Sequence, residues 1–216
     1  MRTASAAGLR QRGSALIVAL MVLIMMTLVV LASSRLIVDE QRIGSNQSDR
    51  QATFQLAELA LKAAEARLAE MDQALDVAGK SDDALFGAGG VFSASCRNDA
   101  NPAGWQSGLC ATSAQVGGGA LQSWERTVSV GKQSVPALHP CGNALEYAFK
   151  SGAVQNRCPD VVTLDGVWAN PRYLIELVDR NYQDSDGGGR LYRLTVRAWG
   201  KNANSVVTLQ SYYVVP

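Results

Sequence analysis

The chain has 216 residues, of which 20 are Lys or Arg and 19 are Asp or Glu, for a net charge of +1. Hydrophobic residues make up 47%, which excludes disorder of the whole, and the near-neutral balance excludes a body built to neutralise phosphates, so no nucleic acid is expected as partner. The charges are unevenly placed: residues 1–13 hold Arg2, Arg10 and Arg12 and no acid.

Residues 14–34, SALIVALMVLIMMTLVVLASS, contain no charge, no Gly and no Pro. As a helix they rise about 31 Å, close to the ~30 Å hydrocarbon thickness of a bilayer. A single pass is expected, with the three arginines held on the cytoplasmic side and the rest of the chain beyond the inner membrane. A buried core helix this apolar on every side would need a larger protein around it. A secretory signal peptide is the rival reading, because Val30-Leu31-Ala32 supplies a small-x-small cleavage site. Against it, the apolar run is longer than an ordinary signal core, and the helical pattern continues past the supposed cut.

The helix is expected to continue through 35–78 as an amphipathic rod. Gly44-Ser45-Asn46 is the weak spot, where a kink or local melting is expected. Beyond it, Phe54, Ala57, Leu61, Ala64, Leu68 and Met71 fall at intervals of three and four, which makes one apolar stripe for packing against a sheet. Residues 79–120 are rich in Gly, Ser, Ala and Asn and read as an irregular surface segment.

From about 121 the period changes to two. Leu145, Tyr147 and Phe149 alternate with polar residues. Tyr173, Ile175 and Leu177 begin a second run, Tyr192, Leu194, Val196 and Ala198 a third, and Val207, Leu209, Tyr213 and Val215 a fourth. Short turns between them imply an antiparallel meander. The expected fold class is therefore α+β: a long N-terminal helix whose second half lies across a small antiparallel sheet formed within 121–216.

Four cysteines, Cys96, Cys110, Cys141 and Cys158, all lie beyond the apolar segment. An even count outside the cytoplasm favours two disulfides. Of three possible pairings, Cys96 with Cys110 and Cys141 with Cys158 close the shortest loops. Their spacing is wrong for zinc, and the only histidine is His139, so no metal and no cofactor is expected. Gly79-Lys80-Ser81 matches a loosened phosphate-loop pattern, but it ends a helix where a real one begins it. Asp184-Ser185-Asp186-Gly187 lacks the further ligands of a calcium loop and reads as a hairpin turn. With no catalytic motif elsewhere, no enzyme activity is expected. The four tryptophans, Trp105, Trp124, Trp168 and Trp199, are expected to pack in the core or at its rim.

Arg12-Gly13-Ser14 followed by ALIVALMVLIMMTLVV resembles a type III signal, the site that prepilin peptidase cuts after a glycine. The segment DRQATFQLAELALKAAEARL from Asp49 resembles the helix of PilX-type minor pilins of type IV pili. So do Pro171-Arg-Tyr-Leu-Ile-Glu-Leu and the C-terminal LYRLTVRAWGKNANSVVTLQSYYVV. The middle, 75–165, carries no resemblance of its own. The resemblance implies a pilin-like fold with a cytoplasmic leader over 1–13. It implies cleavage between Gly13 and Ser14, methylation of Ser14, and extraction from the inner membrane into a fibre. It further implies a minor pilin in a tip or priming complex that starts pilus assembly, with other minor pilins, major pilin, prepilin peptidase and a large tip adhesin as partners. With Ser14 counted first, the fifth residue is Val18, where most pilins carry a Glu. That substitution is shared by PilX-like minor pilins and by one tip pseudopilin of general secretion. The latter carries a large inserted domain for which this chain has no room. An anchored or secreted enzyme or binding module sharing only the N-terminal helix is the alternative from another class.

Overall fold

The computed structural model describes residues 14–77, 85–86, 90–97, 107–117, 121–147, 166–185 and 187–216. The chain divides into two compact units, Met1–Ser48 and Asp49–Pro216. Helix α1, Ser14–Val77, belongs to both.

In the first unit, every side chain from Ser14 to Ser34 is exposed. The helix is long and apolar enough to cross a membrane, with a mean hydropathy of 3.1 over its most apolar stretch and none of that stretch buried. Three hydroxyls of the apolar stretch are satisfied internally. Thr27 Oγ1 donates to the Ile24 carbonyl (2.8 Å), Ser33 Oγ to Val29 (2.9 Å) and Ser34 Oγ to Val30 (2.8 Å). Such bonds give these hydroxyls the partners that a hydrocarbon surround would not supply. The expected melting at Gly44-Ser45-Asn46 does not occur; the helix continues through all three residues. One glycine costs a helix about 1 kcal/mol, which long helical flanks on both sides can absorb.

The second unit is a sheet with α1 on one face. Strands β5 (Arg172–Asp184), β6 (Gly187–Trp199) and β7 (Val206–Val215) form the expected antiparallel meander. The sheet as a whole is mixed, which corrects the expectation of a purely antiparallel one. Two two-residue strands share the other edge of β5: β1 (Leu109–Cys110) runs parallel to it at Ile175–Glu176, and β4 (Leu145–Glu146) antiparallel at Arg172–Tyr173. Segment 79–120 is therefore not wholly irregular. Two-residue strands have no period to read, so this pairing was invisible to pattern. A separate hairpin joins β2 (Thr127–Val130) to β3 (Gln133–Pro136).

The helix face of the sheet carries Tyr173, Ile175 and Leu177 of β5, and Tyr192, Leu194, Val196 and Ala198 of β6, in one cluster with α1. The helix contributes Ala57, Ala60, Ala64, Leu68 and Met71, all fully buried, and Thr53 is nearly so. Four of the six expected stripe residues, Ala57, Ala64, Leu68 and Met71, are fully buried, but Ala60 is buried in place of Leu61 and Thr53 in place of Phe54. Phe54 is 44% exposed and Leu61 only partly buried. Both stripes fit a period of 3.6, but three alanines in the centre let the helix backbone approach the sheet closely, and the larger Phe54 and Leu61 flank it. The opposite face of β5 is covered by a second cluster of Cys96, Cys110, Val128, Ala137, Leu138, Ala144 and Leu174.

Candidate functional site

The first candidate surface is the start of α1. Ser14 and Val18 are helical and exposed, Val18 at 58%. Gly13 lies outside the described residues, as do Cys158, Trp105, Asp186, Phe149 and the Gly79-Lys80-Ser81 stretch. No carboxylate occurs between Ser14 and Asp39 and no charge of either sign before Arg35, so the exposed surface of residues 14–34 is almost wholly apolar.

Two ionic clamps seat the second half of α1 on the sheet. At its far end, Asp72 is 4% exposed. Its carboxylate accepts from Arg190 Nε (2.5 Å), Arg190 Nη2 (2.6 Å) and the Tyr192 hydroxyl (2.5 Å). Burial, then the bond to Asp72, pushes the Tyr192 hydroxyl well above its usual range. At the near end, Asp49 Oδ1 accepts the Lys201 N–H (3.0 Å). Its carboxyl is held below the usual range, first by the Ser205 hydroxyl and then by the Lys201 amide. Gly200 makes this contact possible. A Cβ there would stand 2.6 Å from Asp49 Oδ2, Ser205 Oγ and Thr53 Oγ1.

The face of the sheet away from α1 carries a row of paired charges. Arg172 is fully buried and meets Glu146 at 2.8 Å. Glu176, also fully buried, takes a fork of two bonds from Arg193 (2.7 and 2.9 Å), whose guanidinium lies 4.5 Å from the Trp124 ring centre. Arg126 reaches the carbonyls of Leu121, Ala94 and Ala111. These groups fasten the loops to the sheet. His139 Nδ1 accepts the Cys141 N–H (3.1 Å) beside Trp168, and burial, then Arg172 and Arg197, holds its imidazole below its usual pKa.

Cys96 and Cys110 form a disulfide across 14 residues, as the short-loop argument expects. Cys141 is disulfide-bonded too, and its expected partner Cys158 is one of the residues not described. Asp184 pairs with Gly187 across a tight turn where φ of Gly187 is 140°, the geometry of a hairpin. Among the described residues, no three His, Cys, Asp or Glu side chains converge on a metal-sized space. Pattern reading missed Asp49, Asp72 and Arg190. The one available signal was an acid, Asp72, standing directly beside the last apolar residue of the stripe.

No curated protein and no solved structure matches the chain. Two family descriptions do. Residues 12–62 match the PilX N-terminal region, and residues 79–215 match the C-terminal region of the type IV pilus assembly protein PilX. The second match runs through the middle of the chain, where the residues alone suggested no relative. A membrane-capable helix joined to a disulfide-linked α+β unit agrees with both. The chain belongs to the PilX family of type IV pilus assembly proteins, a structural family of the pilus apparatus.

Proposed function

We propose that the chain is a minor pilin that prepilin peptidase cuts between Gly13 and Ser14, and that it sits at or next to the pilus tip in a priming complex. The apolar helix anchors it in the inner membrane with Asp49–Pro216 in the periplasm. On assembly the same apolar surface is buried among helices of other subunits. Its partners are other minor pilins, major pilin and a large tip adhesin.

The observation that carries the tip position is Val18. The amine created at Ser14 is positive and sits at a helix N-terminus, which is itself partly positive. Buried among apolar helices, that charge needs a counter-charge. A subunit with a carboxylate near its start can neutralise the amine of a subunit above it. This chain has none before Asp39, so it fits a place with no amine above. Immunogold labelling tests this. Label confined to fibre ends is expected, and deletion of the gene should leave few or no surface fibres, with major pilin retained in the membrane. Even labelling along the shaft overturns the tip position.

A further inference from the structure

The two edges of the main sheet are built differently. The β5 edge is closed by β1 and β4. The β7 edge is open among the described residues: its ten residues pair with β6 in unbroken register, and no backbone hydrogen bond from another described element reaches β7. No residue of β7 is buried, and Val206, Tyr212 and Tyr213 are 41%, 59% and 40% exposed. Natural sheets blunt such an edge with charge, proline, a bulge or brevity. Residues 206–215, VVTLQSYYVV, contain no charge and no proline, and the register shows no bulge.

The parity of the ladder fixes which groups face outward. Gly200 N–H donates to the Ser205 carbonyl, one step beyond the Trp199–Val206 pair. In antiparallel pairing the bonded pairs alternate, so the odd residues of β7 bond β6. The even residues Val206, Thr208, Gln210, Tyr212 and Val214 turn their N–H and C=O groups away from the sheet. Only an extended chain presents donors and acceptors at the matching spacing.

Two β6 arginines stand beside this edge; Arg193 bonds Tyr212 and is already held by Glu176. Arg197 of β6 bonds Thr208 Oγ1 through Nε (3.3 Å). Among the described residues it has no carboxylate partner, and burial alone lowers its pKa. A second copy of this chain fits the edge poorly. Antiparallel β7–β7 pairing would turn the Asp49–Val77 part of α1 end for end between the copies, whereas subunits drawn from one membrane into one fibre run parallel.

We propose that the β7 edge receives an extended strand from a different pilus protein. That strand is apolar on the side of Leu209 and Tyr213 and carries a carboxylate on the opposite side, towards Arg197. This inference rests on the proposed assembly function.

The test uses the full chain, produced in a strain lacking the chromosomal copy. Tyr212→Pro removes one outward N–H and leaves the β6 ladder intact, since edge prolines with an outward nitrogen are tolerated. Tyr212→Ala removes the side chain and keeps the N–H. Both should keep a melting temperature within a few degrees of the wild type, whereas Ser211→Pro, which breaks a bond to β6, should not. The wild-type chain and Tyr212→Ala should restore surface fibres, and Tyr212→Pro should leave at least tenfold fewer. If Tyr212→Pro folds and restores fibres fully, the edge proposal is overturned and the assembly function stands. If the strain lacking the gene has normal fibres, it is the assembly function that falls. A photoreactive phenylalanine analogue at position 212 reads the occupant. The expected adduct joins a different chain through a segment bearing an Asp or Glu. A band at twice the mass of this chain, or no band, contradicts the proposal.

Discussion

Asp72 and Glu70 lie two residues apart on α1, yet only one of them holds the structure together. The Asp72 carboxylate is buried and takes three bonds from Arg190 and Tyr192. Glu70 meets Arg67 at 3.9 Å with both side chains more than half exposed. Removing one partner of a buried pair costs ~3–5 kcal/mol, whereas an exposed pair is worth ~0–1 kcal/mol. Asp72→Ala should therefore lower the urea midpoint sharply, and Glu70→Ala should barely move it. Equal effects would show that the Asp72 clamp is solvated. His139 gives a pH signature. Its folded pKa lies below the ordinary 6.5, so the unfolded chain takes up the proton first as pH falls. Stability is then full above 6.5 and declines as pH drops towards the folded value. Protonation would also cost the bond from the Cys141 amide. Melting temperatures from pH 7.5 to 5 should show this decline, and His139→Gln should remove much of it. A flat wild-type profile over that window contradicts the burial argument. These clamps were not legible in advance, because burial of Asp72 depends on strands more than a hundred residues away.

At the scale of elements, alternation made β5, β6 and β7 readable, and a 3.6-residue period made the helix readable. The exact rotation of the helix was not, because both candidate stripes share Ala57, Ala64, Leu68 and Met71. The choice between Ala60 and Leu61 is made by the space left at the sheet. Leu68 is fully buried and Phe54 is not. Leu68→Ala should cost ~2–5 kcal/mol, and Phe54→Ala should cost under ~1 kcal/mol in the Asp49–Pro216 fragment. The reverse order of urea midpoints would restore the stripe expected from spacing. Leu61→Glu should keep a cooperative melt, because a half-buried side chain can turn its carboxylate to water. Strand β1 escaped notice because two residues carry no pattern, and it ends at Cys110, inside the loop that Cys96–Cys110 closes; β4 lies within the alternation that begins at Leu145.

For the whole molecule, the sequence makes legible a helix apolar enough to cross a membrane and a disulfide-linked unit after it. Fibre and secretion readings then diverge at one bond. Prepilin processing leaves residues 14–34 on the mature chain, where they can pack among other helices, and ordinary secretion discards them. Gly13→Val should block the cut and hold the protein at precursor mass, since a bulky side chain beside the scissile bond crowds the protease. Cleavage of that variant at the normal site would contradict the role given to Gly13. The most direct measurement is the N-terminal mass of the protein recovered from sheared surface fibres. The expected result is a chain that begins at methylated Ser14 and keeps the whole apolar segment. A mature chain beginning at Ser33, found free of fibres, would contradict it.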